Sequence, residues 1–134
     1  MKLLVQVTVN APLDKVWGAY TNPDHIVHWN FASDDWYCPH SEVDLRVGGS
    51  FSSRMEAKDG SMGFDFAGVY TEIEPMKHLQ YQFGDRFADV GFHEASGGVK
   101  VVVTFDPETE NPLELQENGW QAILNNFAKH VLSS

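Results

Sequence analysis

Hydrophobic and polar residues alternate along much of the chain, and a helical pattern replaces this alternation near the carboxyl end. Residues 3–10 alternate in the way that is typical of a strand with one buried face. Residues 113–131 place apolar side chains at spacings of three, four and seven, which predicts an amphipathic helix. We predict this helix over 111–132, with Asn111 as its N-cap and Glu114 completing a capping box. A helix of about 20 residues spans roughly 30 Å, so a sheet is expected to wrap around it.

Two short helices are predicted directly after the first strand. Pro12 fits the start of the first, and Asn22 followed by Pro23 gives the second an N-cap and a first helical residue. Residues 31–40 then lose any periodicity and are predicted as a loop at the rim of the molecule.

Six strand-like runs separated by turn signals follow, with the spacing of an antiparallel meander. The first is predicted over 42–47. Asp59-Gly60 is a strong hairpin signal, and a two-residue turn there pairs Met55 with Phe64 on one face and Arg54 with Asp65 on the other. A turn within 96–98 likewise sets inward-facing valine and phenylalanine residues on the last two strands.

The order of one strand, two short helices, six strands and a long helix predicts an α+β helix-grip fold. In this fold a curved antiparallel sheet of about seven strands wraps around the long C-terminal helix. A chain of 134 residues is large enough for one domain with its own core, so a single domain over 1–134 is expected.

Charge and composition narrow the functional classes. A formal net charge of -10 repels phosphate backbones and anionic membrane surfaces, which argues against nucleic acid as a partner. Cys38 is the only cysteine, so neither an intrachain disulfide nor a cysteine-based zinc site is expected. The first ten residues lack the apolar run of a secretory signal, and no segment approaches the ~20 apolar residues that span a bilayer. We therefore expect a soluble cytoplasmic protein without membrane insertion.

Four sequence stretches resemble motifs of one family. These are Ala-Pro-Leu-Asp-Lys-Val-Trp at 11–17, Asp-Leu-Arg-Val-Gly-Gly at 44–49, Gly-Val-Tyr-Thr-Glu-Ile-Glu-Pro at 68–75 and Gly-Trp-Gln-Ala-Ile-Leu at 119–124. They resemble the family of activator of heat-shock protein 90 ATPase homologues. The resemblance implies membership of the START-like superfamily, which includes lipid-transfer proteins, plant pathogenesis-related proteins and polyketide cyclases. It also implies hydrophobic ligand or lipid binding and a link to the stress response.

The predicted space between sheet and long helix is rich in aromatic side chains. If the two elements do not fill it, these side chains line an apolar pocket; if they do, the same side chains form a solid core. Both alternatives are open at this point. The candidate ligand-binding residues are Trp29, Trp36, Phe51, Met55, Phe64, Phe66, Tyr81, Phe83, Phe92, Trp120 and Leu124.

Histidines are the candidate metal ligands. His25 and His28 lie three residues apart on a predicted helix and His40 follows, while Asp24, Asp34 and Asp35 could supply oxygen. Histidines on a helix surface explain this spacing without any convergence of ligands, so no metal and no cofactor are predicted. His78, His93 and His130 are expected to be exposed to solvent.

Catalytic signatures are weak. The sequence has no Gly-x-Ser-x-Gly nucleophile elbow and no glycine-rich phosphate loop, and no partner can be placed beside Cys38. Tyr81 is the one polar group of the kind used by START-like cyclases that the predicted register places inside. No catalytic residue is therefore assigned.

The favoured interpretation is a domain that binds a small hydrophobic or aromatic molecule between sheet and C-terminal helix. One alternative is an enzyme of the polyketide cyclase or hydrolase kind acting on such a ligand. A second is a chaperone-interacting module, which the apparent lack of the second domain of a full activator weakens. A homodimer is an open alternative for the oligomeric state.

Overall fold

The computed structural model describes all 134 residues and has the helix-grip fold expected from the sequence. Seven strands form one antiparallel sheet with the order β1-β7-β6-β5-β4-β3-β2. Two short helices follow the first strand and a long helix ends the chain. The elements are β1 (Leu3–Val9), α1 (Leu13–Thr21), α2 (Pro23–Ile26), β2 (Trp36–Val43), β3 (Ser50–Ala57), β4 (Gly63–Glu74), β5 (His78–Phe83), β6 (Arg86–Ala95), β7 (Gly98–Phe105) and α3 (Leu113–Ser133).

The long helix α3 lies along β1 and against α1, at one side of the curved sheet. Its buried stripe includes Leu124, Phe127 and Val131, as its apolar periodicity predicts. The Gln121 side chain binds the backbone of Gln6 on the edge strand β1: its Nε2 donates to the Gln6 carbonyl at 3.0 Å, and its Oε1 accepts from the Gln6 amide at 3.4 Å. The helix therefore satisfies polar backbone groups of a sheet edge as well as covering the core.

The predicted hairpin register is confirmed. Met55 lies opposite Phe64, and Arg54 lies opposite Asp65 with 3.6 Å between the Arg54 Nη1 and an Asp65 carboxylate oxygen. The predicted two-residue turn is wrong. The backbone amide of Ala57 donates to the carbonyl of Met62, and this hydrogen-bonded pair encloses four residues, of which Gly60 is the one with a positive φ, at 79°.

The first strand of the meander was predicted too late in the chain. The strand β2 covers Trp36–Val43 and pairs with β3, whereas a loop had been predicted over 31–40 and a strand over 42–47. The strand was not predicted because its ladder shifts register between Tyr37 and His40, and this shift interrupts the alternation of apolar and polar residues. Residues 44–49 instead form a turn, in which the Gly48 amide donates to the Tyr70 carbonyl at 2.8 Å and Gly48 has a φ of 85°.

The start of α3 also differs from the prediction. The helix begins at Leu113 after Pro112, and no side chain caps it, so the predicted capping box of Asn111 and Glu114 is wrong. The Gln116 side chain instead forms hydrogen bonds with backbone groups just before the helix. Its Nε2 donates to the carbonyls of Asn111 and Glu108 at 2.8 and 3.1 Å, and its Oε1 accepts from the Glu108 amide at 2.8 Å. By contrast, Asn22 caps α2 as predicted and accepts from the Asp24 amide at 2.9 Å.

Three histidines meet where α2 contacts the end of α3. His130 Nε2 lies 2.8 Å from His25 Nδ1, and the His28 ring stacks on the His130 ring with 5.5 Å between centroids. The prediction that His130 is simply exposed is therefore wrong. Burial lowers the pKa of His130 below its usual value of 6.5, and the positive charges of His25, His28 and Lys15 lower it further. His78 is also only half-exposed, since its Nε2 lies 3.0 Å from an Asp89 carboxylate oxygen.

Replacing His130 with Gln should reduce the dependence of stability on pH. Because the pKa of His130 is lower in the folded than in the unfolded protein, the unfolded state takes up a proton first as pH falls below about 6.5. The stability present above pH 6.5 is then lost as pH falls through the depressed folded pKa. Urea unfolding at intervals from pH 7.5 to pH 5 should show a shallower slope for His130→Gln. The exposed His93→Gln is the control, and equal slopes for His130→Gln and the unmodified protein would contradict the prediction.

Candidate functional site

The space between α3 and the concave sheet is not filled. A cavity of about 310 Å³ lies there, and 17 of its 22 lining residues are hydrophobic. Its volume is at the lower end of the range for small-molecule sites, about 300–1,000 Å³. The cavity arises because α3 packs along β1 and α1, while β3, β4 and β5 curve round at a distance from the helix.

Most of the candidate residues identified from the sequence are brought together at this cavity. They surround one apolar space. Those that line the cavity are Trp29, Phe51, Met55, Phe64, Phe66, Tyr81, Phe83, Trp120 and Leu124.

Two candidates lie elsewhere. Phe92 is on the concave face, but it is buried against Trp17 and Tyr20 with ring centroids 5.1 and 5.6 Å away, because α1 covers that part of the sheet. Trp36 begins the edge strand β2 and packs on Phe64 at 5.9 Å, outside the lining. Neither residue therefore lines the cavity, contrary to the expected position of both.

The cavity also contains residues that the sequence analysis did not select. Tyr70 is two residues beyond Gly68, the last β4 position registered in advance, and it shares the alternation of Phe64 and Phe66. Extending that alternation would have found it. Tyr20 lies on α1, and no strand pattern can predict its approach to the sheet. The remaining lining residues not selected are Val5, Ile26, Asn30, Val43, Ser53, Leu79, Arg86, Val103, Glu108, Gln116 and Ile123.

Aromatic rings form the walls on the side of β3, β4 and β5. Phe66 is central, with its ring centroid 5.8 Å from Phe51, 5.4 Å from Phe83 and 6.3 Å from Trp120. Trp120 is itself held flat on Phe105, at 4.0 Å between centroids and 7° between planes. Rings fixed by such contacts present a rigid apolar surface with defined faces and edges.

Three tyrosines line the cavity: Tyr20, Tyr70 and Tyr81. Burial raises the pKa of Tyr70 to about 12 and raises the pKa of Tyr20 and Tyr81 as well. All three therefore remain uncharged hydroxyl groups near neutral pH.

A small number of polar residues also line the cavity, among them Arg86 and Glu108. The guanidinium carbon of Arg86 lies 4.5 Å from the centre of the Phe83 ring, and Arg86 is in no ion pair. A Glu108 carboxylate oxygen accepts from the Asn111 amide at 2.7 Å. Arg86 and Glu108 give the cavity lining one charge of each sign.

The other chemical candidates do not converge. Cys38 is buried outside the cavity, and burial raises the pKa of its thiol, which disfavours the reactive thiolate. His40 is on the edge strand, with its Nε2 3.2 Å from Oε1 of Glu42. His25 and His28 pack against the end of α3 instead. No group of three or more His, Cys, Asp or Glu side chains is arranged to hold a metal ion.

None of the helices has both the length and the apolar character needed to cross a bilayer.

Comparison with known proteins gives a consistent result. The family model for Activator of Hsp90 ATPase homolog 1-like protein matches residues 10–131. The chain is similar to the solution NMR structure of the AHSA1-like protein from Aeromonas hydrophila, with 42% identity and a TM-score of 0.94, over 99% of this chain and 93% of that one. It is also similar to a protein from Cytophaga hutchinsonii, with 44% identity and a TM-score of 0.84, over 98% of this chain and 92% of that one.

More distant structures share the fold alone. A protein from Nitrosomonas europaea is 20% identical with a TM-score of 0.84, over 99% of this chain and 95% of that one. No curated protein matches the chain by sequence.

Two valines on β7 provide a test of the cavity. Val103 and Val101 are both fully buried on the concave face, but only Val103 lines the cavity. Val103→Leu should be nearly neutral because the added methylene enters free space, whereas Val101→Leu should cost about 1–3 kcal/mol through overpacking. The free energy of unfolding in urea measures both. Equal losses at the two positions would show that no such space exists in solution.

Proposed function

This chain belongs to the Activator of Hsp90 ATPase homolog 1-like family, and from that premise we propose that it binds a small hydrophobic or aromatic molecule between α3 and the sheet. The observation that carries the proposal is the cavity of about 310 Å³ with its predominantly hydrophobic lining. Clefts of this size and composition are the usual sites for small ligands.

The packing around the cavity supports a bound apolar molecule. Protein interiors are normally close-packed, and side chains that line a void lose dispersion contacts. Phe66 and Tyr81 on the sheet and Trp120 on α3 all border the free space. A ligand that filled it would restore those contacts and stabilise the folded protein.

The arrangement of rings favours a flat aromatic molecule over a flexible chain. Phe51 and Tyr81 meet nearly edge to face, with 5.0 Å between centroids and 78° between planes, and Phe66 meets Trp120 at 86°. Further offset or edge-to-face contacts with these rings are available to an aromatic ligand.

Charge favours a ligand that is mostly uncharged. The protein has a formal net charge of -10, and Arg86 is the one positively charged residue among those lining the cavity. Moving an ionised group from water into such surroundings is costly unless it is fully paired. We therefore infer a neutral molecule, with no role for nucleic acid or membrane insertion.

Binding of N-phenyl-1-naphthylamine, a neutral fluorescent probe, tests the proposal. The probe should bind the folded protein with increased emission and raise its melting temperature, with a stabilisation of about 2.7 kcal/mol at 100 times the Kd. Phe66→Trp should block binding by filling the space, with little loss of stability.

The control is Phe87→Trp, the same substitution at a half-buried β6 position that does not line the cavity. It should leave probe binding unchanged. If Phe66→Trp binds the probe as well as the unmodified protein does, the site lies elsewhere. If Phe66→Trp is destabilised by 1–3 kcal/mol and the unmodified protein binds no probe, the interior is a solid core.

The same variant separates the two alternative functions. An enzyme of the cyclase or hydrolase kind would convert its ligand, and turnover would be lost in Tyr81→Phe and in Phe66→Trp. A chaperone-interacting module would bind its partner equally well with the cavity open or filled, because the partner would contact the outer surface.

A further inference from the structure

Two tyrosines lie side by side on neighbouring strands and line the cavity. Tyr70 on β4 and Tyr81 on β5 are directly paired in the antiparallel ladder, so both side chains project from the same face. Each has only 6% of its surface exposed, and each lines the cavity. Tyr20 reaches the same cavity from α1. Three elements of the fold, β4, β5 and α1, therefore bring three tyrosines to one apolar space.

None of these three hydroxyl groups forms a hydrogen bond within the protein, whereas the buried Thr21 hydroxyl and the Trp29 indole both do. No fully enclosed side-chain nitrogen or oxygen lacks a partner, so each of these unpaired hydroxyl oxygens keeps some accessible surface, and the cavity is the space that all three residues line. A buried hydroxyl group without a partner is unfavourable. The three groups therefore retain hydrogen-bonding capacity that a cavity occupant can use.

The hydroxyl groups are also near one another. A charge on Tyr70 would raise the pKa of Tyr20, and charges on Tyr20 or Tyr70 would raise that of Tyr81, which places all three within electrostatic range. Because burial keeps them protonated, they offer uncharged O–H donors.

We propose that the cavity selects ligands carrying an uncharged oxygen, such as an aryl ketone, and that the paired tyrosines Tyr70 and Tyr81 bind that oxygen through their hydroxyl groups. This inference rests on the proposed function and specifies its ligand class. The aromatic side chains contact the apolar part of the ligand, and the tyrosine hydroxyl groups donate hydrogen bonds to its single polar group.

A carboxylate is a poorer fit for the same position. Arg86 is the one cation in the lining, its guanidinium group packs over Phe83, and Glu108 in the same lining would repel an anion. A carboxylate would therefore face uncharged donors in a mostly hydrophobic space, where desolvation of its charge is costly.

Two neutral ligands of matched size test the proposal. By calorimetric titration, 2-acetonaphthone should bind roughly three- to tenfold more tightly than 2-ethylnaphthalene, the difference that one net hydrogen bond supplies. Tyr70→Phe and Tyr81→Phe should reduce this preference, and the double variant should abolish it. The affinity of 2-ethylnaphthalene should stay unchanged, because the hydroxyl groups have no protein partners to lose.

The infrared carbonyl stretch of bound 2-acetonaphthone gives a readout that does not depend on affinity. It should shift to lower frequency in the unmodified protein and return toward its apolar-solvent value in the double variant. Tyr37→Phe is the matched control, since the Tyr37 hydroxyl donates to Glu56 at 3.2 Å on the outer part of the sheet, and it should change neither result.

The possible outcomes distinguish the two proposals. If neither naphthalene binds, the proposed function fails and this inference fails with it. If both bind equally, or if the preference survives in the double variant, the cavity binds ligands but the tyrosines do not select them. Tighter binding of 2-naphthoate than of 2-acetonaphthone would overturn the inference in favour of an anion bound near Arg86.

Discussion

The docking of α3 along one side of the curved sheet is the constraint on which the rest of the structure depends. Leu124, Phe127 and Val131 bury the helix, and the Gln121 side chain ties it to the backbone of the edge strand β1. Since the helix is held against β1 and α1, it cannot also close on β3, β4 and β5. The cavity, its aromatic walls and the tyrosines that line it all follow from that placement.

The cavity combines apolar ring surfaces with a few polar groups, and the two contribute differently to ligand recognition. Rings such as Phe66 and Trp120 provide apolar contact that scales with ligand area and discriminates weakly between similar molecules. A few polar groups in a low-polarity space provide orientation and selectivity, because leaving them unpaired is costly. On this account affinity comes from the walls and specificity comes from the tyrosines. Binding alone needs no activated nucleophile, which agrees with the raised pKa of the Cys38 thiol.

Strand alternation and hairpin register could be predicted from the sequence, and with them the inward positions of Met55, Phe64 and Tyr81. Alternation tells which side of a sheet a residue is on, but not which element covers it. Phe92 lies on the concave face, as predicted, but α1 covers it there. The edge strand β2 is set by its pairing with β3, and the Gln116 contacts at the start of α3 depend on the conformation of the preceding loop. Neither feature has a local periodicity to detect. Whether the interior is filled depends on where α3 docks, so the existence of the cavity was beyond sequence reasoning.

The most direct test of the account is to measure nuclear Overhauser effects between bound 2-acetonaphthone and assigned side-chain protons of the protein. The account predicts contacts from the naphthalene ring to Phe66 and Trp120, with the acetyl methyl near the Tyr70 and Tyr81 rings. Contacts confined to residues outside the cavity, for example around Trp36, or no intermolecular contacts at saturating ligand, would contradict it.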